Sequence, residues 1–179
     1  VAVTGFSSLS DAGTYKFVYT GGLTASGFEL VAGDAVTWTV VPRTLTVELT
    51  GTTANPLTKG YDGNANLALS TQNFLLGNFV GMQGMGASLT GVTTGAFNSQ
   101  NVVGATTLSA TLASGQLQLG DGVLASNYKL PTTATGAASI TAKALTIASS
   151  TVNERQYDGG KSARVTAGML DGLVTGETL

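Results

Sequence analysis

The sequence predicts a mainly β protein, built from tandem small β-sandwich or β-grasp-like modules that form an elongated rod. Three observations predict it. Threonine, β-branched and suited to strands, recurs throughout, and there are 25 glycines but only 3 prolines. That is the composition of short strands joined by tight turns. Apolar and polar residues alternate with a period of two in several segments. The tripeptide Tyr-Asp-Gly stands at Tyr61-Asp62-Gly63 and again at Tyr157-Asp158-Gly159. Each copy follows a similar segment, RTLTVEL from Arg43 to Leu49 and KALTIAS from Lys143 to Ser149.

The elements follow in order. Tyr15 to Tyr19 is apolar on both faces and reads as a central strand. Val36, Trp38 and Val40 alternate with Thr37 and Thr39; Leu45, Val47 and Leu49 alternate with Thr44, Thr46 and Glu48. A period of two puts each apolar set on one face of a strand. Asn64 to Leu69 and Gln72 to Val80 leave a short helix or turn open. Gly81 to Gly86 reads as a loop, with Met82 and Met85 as gap fillers or exposed contacts. Leu108, Ala110 and Leu112 form another alternating strand. Leu117 to Leu119 is a short one ending in the turn Gly120-Asp121-Gly122. Leu145 and Ile147 repeat the pattern of Leu45 and Val47. Val165 to Leu173 is ambiguous, its apolar run broken by Asp171-Gly172.

The repeat sets the domain organisation. Phe28-Glu29-Leu30 precedes the run Trp38 to Val47 as Tyr128-Lys129-Leu130 precedes Ala138 to Ile147, a period of about 100 residues, nearer one small domain per repeat than a solenoid coil. Residues 1–42 are then the C-terminal part of one module, 43–142 a complete module and 143–179 the N-terminal part of the next. The joints Val41-Pro42-Arg43 and Thr141-Ala142-Lys143 contain no Gly/Ser run and should be stiff. Arg43 and Lys143 either bond neighbouring carbonyls or, more plainly, end their strands as solvated cations.

Composition narrows the function classes. Charged residues are 10% of the chain, against roughly 25% in an ordinary soluble domain. The eight basic residues are scattered and the net charge is -2, which speaks against a nucleic-acid partner. No apolar run approaches the ~20 residues of a membrane helix, so no membrane insertion is expected in this segment. There is no cysteine and no histidine, which removes disulfides, thiolate chemistry and the commonest general base. Carboxylates and lysine remain. Asp34, Glu48, Asp62 and Asp121 are available, but no spacing pairs them across the ~5–10 Å a glycosidase requires. Asp121, and Asp171 with Glu177, lack the dense acidic loop of a calcium site. The stretch Gly22 to Gly27 lacks the lysine and spacing of a phosphate loop. No catalytic, cofactor-binding or metal residue is expected, and an isopeptide link from Lys59 to an Asn or Asp is left open. Asp62-Gly63 and Asp158-Gly159 read as turns pinned by a packed tyrosine, Tyr61 or Tyr157, and carbohydrate contact is the alternative role.

A basic residue with A/T-L-T-I/V, then a charged residue, one intervening residue and Y-D-G, is the order seen here in RTLTV with KGYDG and in KALTI with RQYDG. This resembles the YDG-type (also MBG-type) repeats of large bacterial surface adhesins, filamentous-haemagglutinin-like and type V-secreted. SNYKL followed by ASITAKALTI looks like the close of such a repeat. The resemblance implies an extracellular, cell-surface location and a non-catalytic stalk or spacer serving attachment or biofilm cohesion. The partners it implies are neighbouring repeat modules of the same chain. A module that binds glycan or matrix polysaccharide, and a filament-forming extracellular subunit, are the alternatives. The stretch from Leu67 to Val103 is glycine-rich and reads as an insertion in the module.

Overall fold

A computed structural model describes residues 11–17, 26–28 and 33–178. The segments at Val18 to Tyr19, Glu29-Leu30 and most of Gly22 to Gly27 lie outside the described residues. The architecture is mainly β. The described residues hold no α-helix, only the short 3-10 turns Thr71–Asn73, Ser114–Gln116 and Ala125–Asn127. Strands β1 (Gly13–Phe17) and β2 (Val36–Val40) form an antiparallel ladder. Then come β3 (Arg43–Thr44), β4 (Thr46–Leu49), β5 (Thr58–Gly60), β6 (Asn66–Ala68), β7 (Phe74–Gly77), β8 (Ser88–Leu89) and β9 (Thr94–Phe97). These are followed by β10 (Thr107–Thr111), β11 (Leu117–Gln118), β12 (Tyr128–Lys129), β13 (Thr133–Ala137) and β14 (Ser139–Thr141). The last four are β15 (Thr146–Ala148), β16 (Thr151–Val152), β17 (Val165–Thr166) and β18 (Met169–Asp171).

The central sheet has six strands in the order β6-β9-β10-β13-β4-β7. Its neighbours are antiparallel except β13 and β4, which run parallel with Thr135 opposite Glu48. The parallel pair belongs to a longer arrangement. Residues 128–141 form one extended run, interrupted where Pro131 has no N–H to give and again at Ala138. Along this run β12 pairs parallel with β3 (Tyr128 opposite Arg43), β13 with β4, and β14 with β5 (Ile140 opposite Lys59). The Leu45 amide donates to the Lys129 carbonyl at 2.9 Å, and the Tyr61 amide to the Thr141 carbonyl at 2.8 Å.

Alternation decides which side of the sheet becomes core. Val47 and Leu49 of β4, Phe97 of β9, Leu108 and Ala110 of β10 and Ala134 of β13 are buried. Glu48, Ser109, Thr111, Thr133 and Thr135 between them are exposed. Loops and short ladders cover the apolar side with Leu57, Leu89, Leu112, Leu117, Tyr128 and Ile140. Two backbone details hold this cover. A Cβ at Gly136 would stand 2.1 Å from the Leu49 carbonyl oxygen, so the close approach of β13 and β4 requires glycine there. Asn73, 2% exposed, donates through Nδ2 to the carbonyls of Thr50 (3.1 Å) and Asn55 (2.8 Å), and its Oδ1 accepts from the Ser70 amide at 3.0 Å.

The segments left open between a short helix and a turn hold no α-helix. Asn64 to Leu69 contains β6. Gln72 to Val80 contains a 3-10 turn and then β7, because Phe74 and Leu76 alternate inward and pair with β4. Val165 to Leu173 likewise holds β17 and β18. Gly81 to Gly86 is a turn that exposes Met82 and Met85. The alternating sets Val36/Trp38 and Leu145/Ile147 do stand on strands or beside them, but they are exposed. Val36 and Trp38 stand on β2 and Ile147 on β15, each strand in a two-stranded ladder.

Leu108→Ala should cost about 2–5 kcal/mol in urea unfolding, whereas Leu75→Ala, on the open side of the sheet, should stay within about 0.5 kcal/mol. Equal losses would place the core on the wrong side. Asn73→Ala should cost about 2 kcal/mol or more, because it removes three hydrogen bonds made by a buried side chain.

Candidate functional site

The first Tyr-Asp-Gly turn leaves the end of β5. Gly63 is left-handed, φ 81°. The Asp62 Oδ1 accepts from the Asn64 amide at 3.2 Å, which closes the turn through the side chain. Lys59, three residues earlier, places its ammonium 2.6 Å from the same oxygen and also donates to Asn64 Oδ1 and to the Asn66 carbonyl, both at 2.9 Å. The second turn is built the same way. Gly159 has φ 74°, the Gly160 amide donates to Asp158 Oδ1 at 2.8 Å, and Arg155 pairs with Asp158 and donates to the Gly160 carbonyl. The shared unit is therefore a cation three residues before an aspartate whose oxygen caps the amide two residues on.

These contacts govern the carboxyl groups. The Lys59 ammonium, then the Asn64 amide, hold Asp62 below the ordinary aspartate range. The Arg155 guanidinium and the Gly160 amide do the same for Asp158. The geometry is that of an ion pair. An isopeptide link needs a neutral amine attacking a carboxyl or carboxamide carbon, and the Lys59 donors are directed instead at three oxygens.

The two tyrosines differ. Tyr61 is half-buried, and its hydroxyl donates to Glu177, a contact that raises its ionisation above the usual phenol value. Tyr157 is 95% exposed. Tyr61, Val103, Leu145, Val174 and Glu177 line a hollow of about 580 Å3, with Val174 Cγ1 3.0 Å from where a Cβ of Gly63 would stand. The first turn thus docks the following segment onto the central one.

The other candidate residues lie apart. Glu48 is on the open side of the sheet, Asp62 in its turn, Asp121 in the turn after β11, and Asp34 precedes β2. Asp171 ends β18, and Glu177 stands at Tyr61. Among the described residues, no three acidic side chains gather in a way that could hold a metal ion. Arg43 bonds a side chain rather than backbone carbonyls: it donates to Asn78 Oδ1 at 2.6 Å through Nη2, while Asn78 Nδ2 donates to the Thr44 carbonyl at 2.7 Å.

A family model described as the YDG domain matches residues 41–136, more than half of the chain. The chain belongs to the YDG-domain family. Neither the curated proteins nor the solved structures contain a match. In this YDG domain, sequence reading singled out the tripeptide and the charged residue before it, but not that charge as the aspartate's partner. The signal was present, since Lys59 and Arg155 both stand three residues ahead. The bonds of Asn73 to Thr50 and Asn55 and of Glu177 to Tyr61 had no comparable signal, because those partners are 18 to 116 residues away.

By linkage, a depressed carboxyl stabilises its turn above pH ~4 and loses that contribution as pH falls through the lowered value. In an NMR titration, Lys59→Met should move Asp62 up toward the ordinary range and leave Asp158 unmoved. An unchanged Asp62 would remove the ion pair from the account. Tyr61, raised, keeps its contact below pH ~10 and loses it as pH rises through the higher value.

Proposed function

We propose that this YDG-domain chain is a non-catalytic stalk or spacer region of a secreted or cell-surface bacterial adhesin, supporting attachment or biofilm cohesion, with tandem modules arranged as a rod. The observation that carries the reading is the parallel course of the opening and closing strands. Because β3–β4 and β12–β14 run the same way, Arg43 and Thr141 stand at opposite ends of the module. About eleven residues of extended chain at ~3.3 Å each separate them, so one module spans roughly 35 Å. A chain that enters at one end and leaves at the other advances with every repeat.

The same geometry suits tension. A pull on the two ends loads the parallel ladders along their strands, so many hydrogen bonds share the force, whereas a pull across the sheet opens them one after another. Forced unfolding is governed by the unfolding rate, and a fold whose terminal strands are neighbours resists it without catalytic or ligand chemistry. Absent cysteine also suits a chain that crosses a membrane pore unfolded and folds outside, module by module.

Glycan recognition has less behind it. The open side of the sheet presents Thr94, Thr107, Ser109, Thr111, Thr133 and Thr135, and none of these supplies the aromatic platform on which a sugar ring packs.

Single-molecule stretching through residues 43 and 141 should require a clearly higher force than stretching through Ala68 and Gly77, on the two edge strands. Equal forces would remove the load-bearing argument. Retention on bacterial matrix polysaccharide would favour the binding alternative.

A further inference from the structure

The six-stranded sheet ends in β6 on one side and β7 on the other, and the chain treats these edges differently. Ladder alternation decides which backbone groups point outward. The Leu69 amide donates to the Thr93 carbonyl and the Phe97 amide to the Ala65 carbonyl. Ala65, Leu67 and Leu69 therefore face β9, while Asn66, Ala68 and Ser70 face away from it. Most of these outward groups are taken. The Asn66 carbonyl accepts from the Lys59 ammonium, and the Asn66 amide donates to Asn64 Oδ1, both at 2.9 Å. The Ser70 amide donates to Asn73 Oδ1 at 3.0 Å, and the Ser70 carbonyl accepts from the Asn73 amide at 3.1 Å. The Tyr-Asp-Gly turn thus lays a lysine along β6, and an edge lysine is a common guard against strand addition.

β7 carries no such guard. The Thr50 amide donates to the Asn73 carbonyl, so Leu75 and Gly77 face β4, and the amides and carbonyls of Phe74 and Leu76 turn outward. None of these outward groups has a partner among the described residues. Buried backbone groups are nearly always paired, so this edge faces water. The strand, Phe-Leu-Leu-Gly, holds no charge, and Leu75 is 59% exposed on the open side of the sheet.

We propose that two copies of this chain join edge to edge through β7, antiparallel, about a two-fold axis at Leu75. The register follows from the spacing. Phe74 of each copy exchanges hydrogen bonds with Leu76 of the other, and every outward group of both edges finds a partner. Leu75 then stands opposite Leu75 of the second copy as a non-hydrogen-bonded pair. Their Cα atoms lie ~4.5 Å apart, the closer of the two antiparallel arrangements. A second copy suits this edge better than a foreign strand, because the edge complements itself: inverted, it fills its own hydrogen-bonding sites and covers its own exposed leucine. Glu48, opposite Leu75 on β4, stays about 14 Å from its own copy across the strands between them. That is beyond the ~8 Å screening length at physiological salt, so the two carboxylates do not oppose the contact. The same patch is used on both sides, so the contact closes as a dimer. It is small, and the association is accordingly weak. The pairing does not depend on the stalk reading.

Sedimentation velocity on the 179-residue chain, from micromolar to millimolar, should show monomer passing into dimer and nothing larger. Leu75→Lys should stay monomeric throughout with an unchanged circular dichroism spectrum, because it sets two ammonium groups at the axis and leaves the core untouched. The chain has no cysteine, so Leu75→Cys reads the register directly. Mild oxidation should cross-link it as a dimer, since Cα atoms ~4.4–6.8 Å apart accept a disulfide. Ala68→Cys, on the guarded edge, should remain monomeric under the same oxidation. This second readout stands even if Leu75→Lys fails to fold. A monomer at every concentration, a folded Leu75→Lys variant that associates as the unaltered chain does, or equal cross-linking at the two positions would overturn the proposal.

Discussion

The run from Tyr128 to Thr141 is the element on which the remaining structure leans. It supplies the parallel partner of the opening strand, the antiparallel partner of β10, and the partner of β5 just before the Tyr-Asp-Gly turn. Removing it would divide the six-stranded sheet between β10 and β4 and uncover the side that holds Val47, Leu49, Leu108 and Ala110. Its pairing is also the most distant in sequence among the described strands, Thr135 lying opposite Glu48. Loop closure over that distance has to precede the burial that rewards it, which makes this pairing entropically costly to close.

The Tyr-Asp-Gly turn answers a local need created by that joint. After β5 the chain must reverse at once to deliver β6 to the far edge of the sheet. A left-handed glycine, a carboxylate capping the next amides and a cation neutralising that carboxylate accomplish this with groups inside six residues. The unit recurs in the tail because its parts are local. What differs there is the tyrosine: Tyr61 has a neighbouring segment to rest on, and Tyr157 is open to solvent.

Much of the fold was legible in the residues. Alternation located β4 and β10 and assigned their buried sides correctly, and Asp-Gly marked the turns. Gln72 to Val80 and Val165 to Leu173 were open between helix and turn for one reason. Short apolar runs carry no reliable period, and pairing with β4 and β15 decided their state. The alternation that puts Ile147 and Val36 on one face of a strand, where both are exposed, reflects the same limit. A pattern states which side of a strand is apolar, and only another layer can bury it. The ion pairs of Lys59 and Arg155 were within reach of sequence spacing, whereas the docking of Glu177 on Tyr61 was not.

By itself the sequence determined the β class, the turns, the apolar side of each long strand and the repetition of one unit. All of these depend on residues a few positions apart, where steric preference and periodicity act. The tertiary structure alone decided that β3 and β4 lie parallel beside β12 and β13, that Asn73 bonds the carbonyls of Thr50 and Asn55, and that Val36 and Ile147 are exposed. Those outcomes depend on pairings across most of a module, and no local preference of the chain encodes which distant strand will arrive.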